Sequence, residues 1–386
     1  MTDAKNVYFN HGLAQLILIV AAVIIGLTAG GCLTGSGNFE PAADLQNQDI
    51  SDIPMIVLEK SSLRQVWPTI QLPLGRDRIL KRIFYNNGSI YALSDRNQLF
   101  ALDAETGNLL WSRQLPAPLA VCSEVNFYEN DLLLVISDTM LHIRHTDGEV
   151  LLEQKFKFAV TTNAARTALA YFAGGNDNNF YCLDFADGTT NWRNVCQAKP
   201  TGRVAVDVNK VFFVTEDHKL YVSNTDRRNR LWQHQAFGRL VGVVVDERFC
   251  YLPSGDTVLY CFDKVLGDLQ WKYLAGGVLA ELPVVTESGV YQYVEQKSLL
   301  CLEQQADSVN GKLRWELDRG RSLLSENGDI SYCLTLDNEI AVMDNITRKA
   351  IKRFFVPGVD LFVQNDVDSR IILASAEGRV LVLGPE

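Results

Sequence analysis

From about residue 56 onward, apolar positions come in short β-rich runs and keep no long helical period. The runs arrive in pairs, such as "SIYAL" with "QLFAL", "KVFFV" with "KLYVS" and "FCYLP" with "VLYCF", each pair parted by a short polar turn such as "SDRN" or "SGD". That pattern predicts hairpins. After each pair comes a second polar turn, then a large apolar residue four places beyond a turn residue. "ALDAETGNLLW" (Ala101 to Trp111) shows the phrase in full. Asp103 can bond the local backbone there, and Gly107 can take a positive φ without steric penalty. "CLDFADGTTNW" to Trp192, "VSNTDRRNRLW" to Trp232, "CFDKVLGDLQW" to Trp271 and "VNGKLRW" to Trp315 repeat it. "VLEKSSLRQVW" places Trp67 near the front, so all six Trp of the chain occupy this one position.

Weaker copies end at Leu152 and Lys352, and the successive anchors 67, 111, 152, 192, 232, 271, 315 and 352 mark eight units of about forty residues. Four strands of roughly 5 to 6 residues with connections of roughly 4 to 5 fill such a unit, so each is predicted to be one four-stranded antiparallel sheet. Regular units of this size predict an all-β fold, an eight-bladed β-propeller. The last run, "RIILASAEGRVLVLGPE", stops where its turn and anchor strand should follow, whereas "SLRQVWPTIQLP" carries an anchor with no complete blade before it. The N-terminal strand is therefore expected to close the last blade, leaving no open edge between the chain ends.

An indole can bury about 150 to 250 Å², so each of the six Trp is expected to dock a blade against its neighbour. The small residues Ala101, Cys182 and Cys261 are expected to make room for them. The formal charge of −10, from 46 acidic against 36 basic residues, disfavours nucleic acid as a partner. The basic stretches "GRDRILKR" and "TDRRNR" read as solvated loops.

The first 31 residues read as an export segment: "LAQLILIVAAVIIGL" (Leu13 to Leu27) is an apolar run, followed by "TAGGC". Ala29, Gly30, Gly31 and Cys32 resemble a bacterial lipobox, which implies lipidation of Cys32 and an N-terminal lipid anchor in the membrane. The same run also fits an uncleaved signal anchor in the inner membrane, or ordinary cleavage. Residues 32–55 then form a flexible tether, and 56–386 the propeller.

Seven further cysteines follow Cys32. A two-residue turn at Gly255 and Asp256 would set Cys250 opposite Cys261, which makes that pair a candidate disulfide in an exported protein. His142 and His145, three apart in an expected strand, should point to opposite faces. No metal-ligand spacing, CxxC, HExxH, GxSxG or Walker-type loop occurs, and no catalytic, cofactor-binding or metal residue is assigned. The chain reads as a non-enzyme without cofactor.

Ala101, Asp103, Thr106, Gly107 and Trp111 together resemble the tryptophan-docking motif of the PQQ-like propeller repeat family. Length, lipid-type front, eight-unit count and closure are similar to the BamB family of outer-membrane assembly lipoproteins. That resemblance implies an outer-membrane lipoprotein facing the periplasm, a scaffold that docks on the barrel-inserting subunit of the assembly machinery. Two alternatives stand beside it. One is another surface-tethered PQQ-like repeat module binding polysaccharide or an envelope protein, and the other is a PQQ-dependent dehydrogenase.

Overall fold

The computed structural model describes residues 49–306 and 308–386, so Cys32 and the export segment lie outside the described residues. The rest forms eight antiparallel blades. In blade 1 the strands are Leu80–Asn86, Ser89–Ser94, Gln98–Asp103 and Leu109–Gln114. Blades 2 to 8 begin at Asn126, Ala165, Pro200, Val244, Val284, Gly320 and Leu361. Second and third strands are buried on both faces, which is why they read as unbroken apolar runs such as Leu132 to Ile136. Fourth strands alternate between exposed and covered positions and form the outer rim. The first strands of neighbouring blades touch one another and line the inside of the ring.

Alternation decides which neighbour a residue meets. In blade 1, Tyr91, Leu93, Leu99 and Ala101 pack with Leu132, Leu134, Leu141 and Ile143 of blade 2. The intervening Ile90, Ala92, Phe100 and Leu102 pack with Ile372, Val380 and Val382 of blade 8. Each blade is thus a sandwich layer whose two faces belong to two different cores.

The chain ends meet in blade 8. Leu63–Gln65 pairs antiparallel with the final strand Arg379–Pro385, with Arg64 opposite Gly384. Ile70–Gln71 rejoins the same strand opposite Val380 and Arg379. Between these two stretches the Val66 amide still donates to the Val382 carbonyl at 2.9 Å. Seven blades come from one continuous stretch each, and the eighth is shared between the ends.

Two details at the front depart from the sequence reading. Ile50 and Ile53, assigned to the tether, are buried with Leu58 against blades 7 and 8. An Asp49–Asp52 capping box holds the first turn, and Asp49 also pairs with Arg379. The "VLE" of the Trp67 copy closes a short helix, Met55–Glu59, that starts after Pro54, so the copy is a strand only from Leu63. Pro is well suited to that start because its missing N–H costs nothing at a helix N-terminus.

Each fourth-strand Trp sits opposite a third-strand residue: Trp111 faces Ala101, Trp192 faces Cys182, Trp232 faces Val222, Trp271 faces Cys261 and Trp315 faces Cys301. The indole then reaches the third-to-fourth turn of the following blade. Trp67 Nε1 donates to the Ala104 carbonyl at 3.1 Å, Trp111 to His145 at 2.8 Å, Trp192 to Thr225 at 3.2 Å and Trp271 to Gln304 at 2.8 Å. Trp315 donates to Asn345 Oδ1 at 3.0 Å, and Trp232 Nε1 has no partner among the described residues. The turn glycine is the floor of this dock: a Cβ on Gly107 would lie 2.8 Å from Trp67, and one on Gly148 2.6 Å from Trp111.

Candidate functional site: the polar cavity and apolar rim of the connector face

Connections from a fourth strand to the next first strand gather on one face of the ring, beside the second-to-third turns. Phe237 on the blade 4-to-5 connection shows this proximity, its amide donating to Asp256 Oδ2 in such a turn at 3.1 Å. On this face a cavity of about 490 Å³ opens between the inner strands of blades 1 and 4 and the connections into blades 2 and 3. Arg82 comes from the first strand of blade 1, where Nη1 donates to the Ser123 carbonyl at 2.7 Å. The sequence reading gave this residue to a solvated loop, but a β-bulge between Leu80 and Arg82 turns it to the cavity wall. Arg203 comes from blade 4 and is exposed.

The connections are clipped to the inner strands. Thr162 bridges in parallel to Gly202, and Arg203 to Gly242. Gly202 has φ +69° and a Cβ there would lie 2.2 Å from the Val241 carbonyl oxygen, so the approach of the two chains requires glycine. Asn163 Oδ1 accepts from the Val204 amide at 2.8 Å, and Thr161 Oγ1 donates to the Pro200 carbonyl at 2.6 Å. In blade 8, the exposed Asp366 feels the Arg203 charge: partial desolvation raises its carboxyl pKa, while a backbone hydrogen bond and Arg203 pull it back. Cys122, in the cavity wall, is no nucleophile at neutral pH, since burial pushes its thiol up to about 11. Around this polar floor stand exposed apolar side chains on the connections, Leu119 (79% exposed), Val121 (82%) and Phe237 (85%).

A second cluster lies at the opposite ends of blades 2 and 3, and alternation alone hid it. His142 Nε2 and His145 Nδ1 both reach Asp131, at 3.2 and 2.8 Å, in place of the expected opposite faces. The strand ends at Ile143, so His145 lies in a turn where the two-residue period no longer holds. Arg166 of blade 3 meets His142 Nδ1 at 3.2 Å and stacks on Tyr128 and Phe185 at 4.0 and 3.8 Å from the ring centres. Burial and the Arg166 charge hold the His142 imidazole below its ordinary pKa, against the pull of Asp131. Burial works against the Asp131 carboxylate, but its bonds from His145 and both His charges keep its pKa below the usual value. The cluster ties two blades together.

The candidate disulfide is corrected by register. Three residues, Gly255 to Thr257, form the turn in place of two, with Ser254 donating to Val258 across it. Cys250 is therefore opposite Phe262, and Cys261 opposite Tyr251. One position of slip sends the two thiols to opposite faces, into different cores, and both are free. Among the described residues no group of His, Cys, Asp and Glu could hold a metal ion, and no helix is long and apolar enough to cross a membrane.

The family described as outer membrane protein assembly factor BamB (PQQ_2) matches residues 64–153 and 142–243. No curated protein matches the chain by sequence. Among solved structures, BamB from Moraxella catarrhalis is similar over 83% of this chain and 97% of its own, at 16% identity and TM-score 0.63. The computationally designed Ika8 protein is similar over 83% and 99%, at 14% identity and TM-score 0.65. Those two likenesses show the fold, an eight-bladed β-propeller, and residues 64–243 are similar to the repeat of that family.

Proposed function

We propose that this protein is a non-catalytic envelope scaffold, tethered to the outer membrane through a lipid on Cys32 and facing the periplasm, that serves β-barrel assembly by docking on the barrel-inserting subunit. One observation carries the docking claim: Leu119, Val121 and Phe237 stand almost fully exposed on a single face of the ring. Large apolar side chains left in water beside a polar floor mark a contact surface. The family match supports the kind of partner, and the apolar run ending in Cys32 supports the location.

A quinone-and-calcium centre finds little to hold it here. The cavity wall offers two arginines and the single carboxylate Glu124, a donor set poor for a hard cation, and the chain has no Cys-Cys pair. No catalytic step is derived through such a group. Affinity capture from mildly solubilised membranes tests the proposal. Recovery of a barrel-inserting protein, reduced when Leu119→Ser and Phe237→Ser are combined, is expected. Its absence with the unaltered chain would overturn the reading.

A further inference from the structure

The cavity on the connector face holds more donors than its own walls use. Asn163 is only 4% exposed, and its amide is oriented without ambiguity because Oδ1 must take the Val204 N–H at 2.8 Å. Its Nδ2 is left buried with no partner among the described residues. A buried donor in that state is costly unless something accepts from it. Arg82 uses one N–H on Ser123, leaving four of its five donors, and Arg203 makes no ion pair or side-chain hydrogen bond among the described residues. Facing these stand Glu124 in the wall and Asp366 across the ring. The remaining surface is apolar, from Val121, Val160 and Val241.

Guanidinium forks and an amide N–H suit a planar, two-oxygen anion, and the valines suit a short hydrocarbon attached to it. We infer that this cavity binds a carboxylate carried on a small apolar body, either the free C-terminus of a peptide or an organic acid. The inference is independent of where in the cell the protein works. Arg203 and Arg82 would bracket the carboxylate, Asn163 Nδ2 would donate to one oxygen, and the apolar portion would lie against Val121 and Val241.

Calorimetric titration of the full chain with three probes tests it: N-acetyl-alanyl-leucine, the same dipeptide as its C-terminal amide, and 4-methylvalerate. The dipeptide acid is expected to bind, its amide about tenfold or more weaker, and Arg203→Gln to weaken the acid about tenfold or more. Arg203 is exposed, so the Gln variant should keep the unaltered urea midpoint, which separates lost binding from lost fold. Equal affinity for both acids assigns the site to organic acids, and tighter dipeptide binding assigns it to a peptide end. Equal binding of acid and amide, an unaffected Arg203→Gln, or no heat from either acid at millimolar concentration would overturn the proposal.

Discussion

At the residue scale the indole and the glycine beneath it are one device. Trp111 is buried, bonded to the His145 carbonyl, and lies where any Cβ on Gly148 would be 2.6 Å away. Trp111→Ala is expected to cost roughly 3–5 kcal/mol in urea titration, the range for truncating a packed aromatic. Gly148→Ala should cost about 1 kcal/mol or more, from the clash and from φ +70°. With both changes made, the clash has no partner and the sum should fall short of additive. Strict additivity would mean that the two do not touch. This device was legible because it recurs with fixed spacing along the chain. The cavity was not: Arg82 and Arg203 lie on different blades and Asn163 on a connection between them, and only the packing of consecutive blades brings them together. No linear spacing connects them.

At the scale of strands and turns, the sequence showed which elements exist but not every register. The turn after Ser254 was read as two residues and has three, enough to separate Cys250 from Cys261. Mass spectrometry with and without reductant should therefore show no shift for the fragment containing both thiols. A loss of two protons on oxidation under native conditions would contradict that register. The His142 cluster and His234, which lies in the fourth strand of blade 4 (Arg230–Gln235), set a pH dependence. Burial holds both imidazoles below the ordinary 6.5, with Arg166 adding to the effect at His142 and Asp256 opposing it at His234. The unfolded chain binds protons more readily than the folded one, so stability rises with pH through this window. It is present in full above about 6.5 and is lost as pH falls toward the depressed folded values. The urea midpoint should drop between about pH 7.5 and about pH 5.5, and His142→Gln should flatten the drop. A pH-independent midpoint would argue against buried neutral imidazoles. Asp131 acts lower: its depressed carboxyl pKa gives stability that is lost only as pH falls below about 4.

At the scale of the whole molecule, the ring distributes its core over eight boundaries between blades, and the last of these exists only if the chain ends pair. That closure was legible in the orphan Trp67, an anchor with no complete blade before it. The break in the closing strand was not, because Trp67 docks on the Ala104 turn of blade 1 between Gln65 and Ile70 and the pairing resumes beyond it. Amide hydrogen exchange followed by mass spectrometry tests the closure most directly. The Val66 amide donates to Val382, the Leu72 amide to Gly378 and the Glu386 amide to Ser62. Peptides spanning residues 62–72 should be as protected as those from the final strand Arg379–Pro385, and should lose protection together with them in mild urea. Exchange across 62–72 at the rate of an unpaired segment, while the final strand stays protected, would contradict a ring closed by its own two ends.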